Sequence, residues 1–300
     1  MNWIIFTISG AFFQNLRSSL QKKLNKNLST VASTYVRFAF ALPFAILIFF
    51  LNFSNFEVIS KIFNQPNFLY LTIIASIFQI MFTFTLLYLF KFSNFVVGTS
   101  LSKTEVIQVA IFEYFLLKDT LNIFGIFGII IATAGVIIIS IKDLKLFFSN
   151  FFSKTTLIGL IKGLFLGLSV VFFRAAALSL KDFSSNFDKA IITLFFGLVI
   201  QTFIISIYLL VFEKSEFKKF KDNKLESCLA GLTGFLATLS WFFAFTFIQA
   251  SFVRALGQVE IFFSFISSKY FFKEKITVIE IFGIIIFMVG VAIMLLTKTN

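Results

Sequence analysis

The chain has 300 residues, of which 59% are hydrophobic and 13% are charged, about half the charged fraction of soluble domains. This composition excludes a soluble globular protein, and the absence of histidine excludes His-ligated metal sites, haem and Ser-His triads. The net charge of +12 arises mainly from lysines in short breaks between apolar segments, which favours a role in membrane orientation over nucleic-acid binding. No cofactor, metal or nucleic-acid partner is expected.

The apolar segments are about 18 to 25 residues long, enough for a helix to cross a hydrocarbon core about 30 Å thick. They are continuous rather than alternating, which excludes barrel strands and predicts an all-α integral membrane protein with ten transmembrane helices. The first segment, interrupted by Gln14, Asn15 and Arg17, is expected to be a retained span rather than a signal peptide. These three side chains are not expected to face lipid; they either face a pore or pair with another helix. In chain order the predicted spans are 3–20, 30–51, 68–90, 94–116, 121–141, 156–178, 188–212, 227–248, 251–272 and 277–296.

The two halves of the chain resemble each other at an offset of 155 residues. Without a gap, this offset places Val96 to Val136 on the stretch from Ser251 to Val291 and pairs Glu105 with Glu260. It also pairs Leu101 with Leu256, Lys118 with Lys273, Gly128 with Gly283 and Gly135 with Gly290. The sequence therefore predicts two five-helix repeats, residues 1–145 and 150–300. Five is an odd number, so the second repeat is expected to insert with inverted topology.

Lysines in the breaks predict which side of the membrane each loop occupies. Fourteen follow odd-numbered spans, and five lie in the remaining breaks or at the C-terminus. The positive-inside rule then places the fourteen in the cytoplasm and both termini outside.

Polar residues near the span centres are the candidates for function. Six of them are formally charged, and they would cost about 18 kcal/mol in total if all faced lipid, at about 3 kcal/mol each. They must therefore pair with one another or line a wet cavity. The charged ones are Arg37, Lys103, Glu105, Arg174, Arg254 and Glu260, accompanied by Gln14, Gln79, Gln108, Gln201 and Gln258.

The ninth predicted span carries the clearest polar pattern. Gly257, Glu260 and Ser264 recur at helical spacing on one face, with Arg254 and Gln258 on a neighbouring strip. Each duplicated glutamate has two interpretations: a carboxylate of a transport pathway, or a partner that neutralises a nearby base. Arg37 either lines the cavity or extends to the membrane interface, and for Arg174 the interface is favoured. The candidate pathway residues are Glu260, Glu105, Arg254, Gln258, Lys103, Arg37, Gln14, Gln108, Trp241 and Ser264.

Glycine and proline predict helix packing. Gly125, Gly128 and Gly135, with Gly283 and Gly290, align on one face of their helices, where close helix approach is expected. Pro43 is expected to kink the second span beside Arg37.

Three sequence features resemble the EamA-type family of the drug/metabolite transporter superfamily over the whole chain. Two are the similar segments LLKDTLNIFGIFGIIIATAGVIII and FFKEKITVIEIFGIIIFMVGVAIML, in which a short charged turn precedes a glycine-containing helix. The third is STYVRFAFALPF, in which Arg37 occupies the position of the family's arginine. Relatives commonly carry a proline where Val106 and Ile261 stand here, each directly after a glutamate. A helix hinge at that proline would therefore be missing in this chain.

The resemblance implies a multi-pass transporter in the cytoplasmic membrane of a bacterium, with cytoplasmic termini, opposite to the lysine count. The leading hypothesis is alternating-access transport of a small metabolite or amphipathic solute, coupled to protons through Glu105 and Glu260. The alternative is a lipid-carrier flippase or flippase subunit. An intramembrane enzyme is not expected, because no clustered carboxylates or His-assisted nucleophile are visible. The expected partners are the lipid bilayer and an anionic or zwitterionic small molecule, and a homodimer is left open.

Overall fold

The computed structural model describes residues 2–53, 57–92, 98, 100–141, 152–263 and 278–296. Within these residues the chain forms helices and turns and no strand, as the apolar runs predict. The helices are α1 Asn2–Leu24, α2 Thr30–Ala39, α3 Leu42–Asn52, α4 Glu57–Phe63, α5 Pro66–Leu89, α6 Glu105–Phe112, α7 Ile123–Ser140, α8 Lys154–Ser179, α9 Asn186–Phe212, α10 Glu216–Asp222, α11 Lys224–Phe247, α12 Ala250–Gly257 and α13 Val278–Leu296.

Seven helical segments of the described chain are long and apolar enough to cross a membrane. They are Thr30–Asn52, Pro66–Leu89, Ile123–Ser140, Lys154–Ser179, Asn186–Phe212, Lys224–Phe247 and Val278–Leu296. The predicted span 3–20 lies within α1, whose centre is polar. The predicted spans 94–116 and 251–272 are each interrupted by a tight turn and lie partly outside the described residues.

The second predicted span is kinked, as Pro43 indicates. Helix α2 ends at Ala39 and α3 begins at Leu42, with Pro43 in its first turn. Proline has no backbone N–H to donate to the preceding turn of a helix. It is therefore better accommodated in the first turn of α3 than in the interior of one continuous helix.

The helix bounds repeat along the chain. The 155-residue offset carries α7, Ile123–Ser140, onto residues 278–295, which lie within α13. It also brings α1, α2–α3 and α5 to within a few residues of the starts of α8, α9 and α11. The packing repeats as well: α1 packs on α11 and α12, α8 packs on α5 and α6, and α7 packs on α13.

Helices α7 and α13 approach each other closely through their glycines. A Cβ atom at Gly135 would lie 2.4 Å from the backbone nitrogen of Phe287, and one at Gly290 would lie 2.3 Å from that of Ala132. No larger residue fits at this distance, so the close approach predicted from the glycine spacing is confirmed.

The fourth and ninth predicted spans are broken at equivalent positions. In the first repeat a 3-10 turn over Ser102–Thr104 precedes Glu105. In the second, α12 ends at Gly257, and the backbone N–H groups of Gln258 and Val259 donate to carbonyls three residues earlier. The prediction of one continuous helical face from Gly257 through Glu260 was therefore wrong. Glycine weakens a helix at this point, and a Cβ atom there would lie 2.3 Å from the Trp241 ring.

Helix α11 runs from one end of the bundle to the other and is about 36 Å long. At one end Lys23 pairs with Glu226 at 2.8 Å, and Lys22 lies over the ring of Phe90. We call this the lysine-rich end. At the other, opposite end, Arg174 binds the carbonyl oxygens of Phe245 and Ile248 at the C-terminus of α11.

Candidate functional site

A polar cavity of about 420 Å³ lies between the two repeats. It reaches the exposed side chain of Lys22 at the lysine-rich end and extends inward to the broken fourth and ninth spans. The residues lining it are Gln14, Asn15, Arg17, Ser18, Lys22, Phe82, Leu86, Phe90, Ser102, Lys103, Glu105, Ser140, Lys162, Leu166, Arg254, Glu260 and Ile261.

Glu105 forms the deepest part of this site. Its side chain is 1% exposed and is ion-paired with Arg254 of the second repeat, which is 3% exposed. The Nε2 atom of Gln258 donates to Glu105 Oε1 at 3.4 Å, and Lys162 Nζ lies 3.8 Å from Glu105 Oε2. Lys162 Nζ also donates to Ser102 Oγ at 2.9 Å. Two bases of the second repeat, Arg254 and Lys162, therefore balance the charge of this buried carboxylate.

Glu260 forms the equivalent site in the second repeat and lies on the cavity wall. It is ion-paired with Lys103 of the first repeat, and Gln14 Nε2 donates to its second oxygen. The side chains of Lys103 and Glu260 are 15% and 16% exposed, so this pair is more open to the cavity than the Glu105 pair. The offset equates Lys103 with Gln258, and each of these two side chains binds the glutamate of the other repeat.

Arg17 of α1 is a buried cation of the cavity that forms no ion pair with a described residue. Its side chain is 1% exposed and lines the cavity, yet its Nε and Nη1 atoms have no hydrogen-bond partner in the described part of the chain. Burying an apolar side chain at this position would cost less free energy than burying an unpaired guanidinium. Packing alone therefore does not account for Arg17.

The cavity has a polar wall, formed by α1, and an apolar wall, formed by α5. Helix α1 contributes the polar Gln14, Arg17 and Ser18, spaced so that they share one face. Helix α5 contributes the apolar Phe82 and Leu86 at an interval of four residues, and Phe90 follows directly after α5. A molecule in the cavity would meet charge on one side and aromatic or aliphatic carbon on another.

Trp241 packs against Arg254 outside the cavity lining. Its indole ring is packed between Gly10 and Gly257, and the guanidinium of Arg254 lies 4.8 Å from the ring centroid. This cation–π contact orients Arg254 towards Glu105. Trp241 itself does not line the cavity.

Other sequence candidates lie away from the cavity surface. Arg37 donates to Thr83 Oγ1 at 2.5 Å and lies 5.6 Å from the Phe82 ring, behind the apolar wall. Gln108 points to a separate surface depression with Phe112. Ser264 lies outside the described residues.

A second ionic cluster is present at the opposite end of the bundle. Arg174 Nη1 binds Glu113 Oε1 at 3.1 Å and is also ion-paired with Asp119; we call these three residues the Arg174 cluster. Glu113 accepts hydrogen bonds from the backbone N–H groups of Ala250 and Ser251, the latter at 2.9 Å, and so caps the N-terminus of α12. The cluster therefore joins α8, α12 and the segment directly after α6.

The sequence favours the membrane interface for Arg174; its side chain lies at the opposite end of the bundle, 9% exposed and held by two carboxylates and two carbonyls. Arg37, for which the cavity and the interface are both open from the sequence, is 5% exposed and lies behind the apolar wall. In both cases the partners come from other helices, which a position within one span does not reveal.

Sequence reasoning did not select Lys162, Glu113 or Asp119, and it left Arg17 outside the candidate list. Two of these had a visible signal: Lys162 and Glu113 are single charges inside apolar runs, the same criterion that selected Glu105. Asp119 belongs to the short charged turn of the segment LLKDTLNIFGIFGIIIATAGVIII. In the structure Lys118 adopts the left-handed conformation, with φ of 58°, as a helix C-terminus commonly does, and Asp119 follows it into contact with Arg174.

Long apolar helices that surround an internal polar cavity with buried charges are typical of a multi-pass membrane protein. The family model described as the EamA-like transporter family matches residues 1–141 and 154–296, and the chain belongs to this family. It is therefore a membrane transporter of the drug/metabolite transporter type.

One further comparison is consistent with this fold. This chain is similar to a solved structure whose title reads "Crystal structure of protein". The sequence identity is 13% and the TM-score is 0.67, and the match covers 98% of this chain and 99% of the other. At this identity the likeness concerns the fold alone. A search of curated proteins returned no match.

Proposed function

We propose that the protein moves a small solute across the cytoplasmic membrane of a bacterium by alternating access, through the polar cavity between its repeats. The observation that carries this proposal is the placement of Glu105 and Glu260. Both line one cavity, and each is held by basic side chains that include one from the opposite repeat. Rocking one repeat against the other would therefore break and remake the ion pairs of this cavity.

The architecture proposed for this mechanism is ten membrane helices in two five-helix repeats of inverted topology. The recurrence of helix bounds at the 155-residue offset supports it. The packing supports it too, because the first helix of each repeat packs on the third and fourth spans of the other. By the positive-inside rule, the lysine-rich end and the cavity entrance face the cytoplasm.

Two features would allow the cavity to close on one side of the membrane and open on the other. The Arg174 cluster closes the opposite end by joining elements of both repeats. The turns at Ser102–Thr104 and after Gly257 interrupt the helices next to the two glutamates, so each half-helix can tilt without bending a continuous helix. These turns occur without the proline common in relatives, so its absence does not remove a hinge.

Proton coupling would act through Glu260. Its pair with Lys103 is partly open to the cavity, whereas the Glu105 pair is buried. Protonation of Glu260 would neutralise the carboxylate that holds Lys103 and Gln14, and so weaken the contact between the repeats at that point.

We expect Glu260→Gln to abolish proton-driven accumulation while leaving solute exchange, because glutamine keeps the shape of the side chain and removes its titration. The measurement uses proteoliposomes of the full chain and a defined mixture of amino acids, organic acids, nucleosides and sugars. Their uptake is followed by mass spectrometry with and without a pH gradient. Glu226→Gln, an acid-to-amide change at the exposed lysine-rich end, is the matched control and should behave as the native protein.

Unchanged gradient-driven uptake in the Glu105→Gln, Glu260→Gln double variant would remove both residues from coupling. No uptake of any component by the native protein, together with flipping of a labelled lipid in the same vesicles, would replace this proposal by the flippase alternative. No observation on the described residues favours that alternative.

A further inference from the structure

The charge of the cavity is not balanced by its own side chains. Its described lining includes five basic residues and two acidic ones. Arg254 and Lys103 each pair with a glutamate, and Lys162 lies 3.8 Å from Glu105. Lys22 is exposed at the lysine-rich end and lies over the ring of Phe90. The remaining base, Arg17, is buried and has two nitrogen atoms without a hydrogen-bond partner among the described residues. A cavity of this composition attracts an anion.

The position of Arg17 makes it the strongest candidate for the ligand-binding group. It lies on the polar face of α1, three residues after Gln14, and Gln14 is bound to Glu260. Burial without a partner is unfavourable for a guanidinium, and a bound anion in the cavity would supply the missing partner. The planar guanidinium matches carboxylate, phosphate and sulfonate groups, which it can bind through two parallel hydrogen bonds.

The lining favours an anion over a zwitterion. A bound ammonium group needs an acidic partner, and both glutamates of the lining already bind basic side chains. The remaining wall, formed by Phe82, Leu86 and Phe90, is apolar and suits a hydrocarbon or aromatic body. The volume of about 420 Å³ is near the lower limit for sites that hold drug-sized molecules, which limits the ligand to a small one.

We propose that the cavity binds small organic anions with an apolar body, and that Arg17 binds their anionic group while Phe82, Leu86 and Phe90 contact the apolar part. Binding itself is independent of the proposed transport function; the inference that this anion is the transported substrate rests on it. The two are tested by separate measurements.

The binding test compares hexanesulfonate and hexanoate with neutral hexanamide and cationic hexyltrimethylammonium, four probes with six-carbon chains that differ in their head groups. Thermal unfolding of the purified full chain is measured against the concentration of each probe, since a ligand of the folded state raises its apparent stability. The two anions should stabilise the native protein, and the other two probes should not. Arg17→Gln should weaken anion affinity roughly ten- to a hundredfold, the loss expected for a charged hydrogen bond.

Two controls separate binding from folding. Arg17→Lys keeps the charge but loses the paired geometry, so it should retain part of the affinity. Lys181→Gln removes one positive charge from an exposed site at the opposite end and should bind as the native protein does. Without any probe, Arg17→Gln should unfold at the same or a higher temperature than the native protein, because it removes a buried unpaired charge. A purely structural arginine would give a lower temperature.

Equal stabilisation by the amide or the ammonium probe, no stabilisation by either anion, or native anion affinity in Arg17→Gln would each overturn the proposed site. The transport measurement uses hexanesulfonate, which is permanently charged and does not cross lipid in a neutral form. Binding without flux in proteoliposomes would contradict the transport function and leave the site in place. Equal flux in the native protein and Arg17→Gln would contradict the site and leave the transport function in place.

Discussion

Glu105→Gln is expected to destabilise the folded protein by about 3 to 5 kcal/mol, the usual cost of removing one partner from a buried ion pair. The carboxylate is 1% exposed and binds Arg254, and Lys162 lies beside it. Glutamine would leave two buried cations facing each other without the negative charge between them. This cost exceeds that of a typical point mutation.

A double-mutant cycle tests this expectation. Arg254→Gln alone should also destabilise the protein, whereas the double variant Glu105→Gln, Arg254→Gln should recover much of the loss, because neither charge remains buried alone. The free energy of unfolding is measured in mixed micelles of a mild and a denaturing detergent.

The exposed pair of Lys23 and Glu226 provides the matched control for the cycle. Their side chains are 66% and 27% exposed, so the same replacements there should couple by less than about 1 kcal/mol. Equal coupling in the two cycles would contradict the buried arrangement around Glu105.

Arg174→Gln is expected to open the opposite end of the bundle. Arg174 joins Glu113 and Asp119, and without it these two carboxylates would repel each other while Glu113 still caps α12. The equilibrium should shift towards a state in which solvent enters from that end. Reaction of an impermeant maleimide with a cysteine at Ser251, which is buried beside Glu113, should rise on the order of tenfold or more, a shift of about 1.4 kcal/mol.

The experiment uses a chain in which Cys228, the one cysteine of the sequence, is replaced by serine. Asp182→Asn serves as the control, because Asp182 lies in an exposed contact with Gln65 outside the Arg174 cluster. Equal maleimide rates with and without Arg174 would show that the cluster does not hold the opposite end closed.

Much of the helical framework could be predicted from the sequence, because it depends on local properties. Continuous apolar runs predict membrane helices, Pro43 predicts the kink between α2 and α3, and the spacing of Gly135 and Gly290 predicts close packing of α7 on α13. Each of these signals lies within the segment whose structure it determines.

The pairing within the site could not be predicted in the same way. Lys103 and Glu260 are 157 residues apart in the chain, and Arg174 and Glu113 are 61 apart. Helical spacing shows which side chains share a face of one helix, but it does not show which faces meet. The breaks before Glu105 and Glu260 also had no proline to indicate them; they follow from packing around residues such as Gly257 and Trp241.

The central claim is that the cavity between the repeats is a solute pathway that opens to one side at a time. The most direct measurement places a cysteine at Ser18, a half-buried position on the cavity wall, in the chain without Cys228. An impermeant maleimide should label it from the lysine-rich face, and hexanesulfonate should slow the reaction. In Arg174→Gln, labelling from the opposite face should also appear. Equal labelling from both faces of the native protein, or labelling only by a lipid-soluble maleimide, would contradict the account.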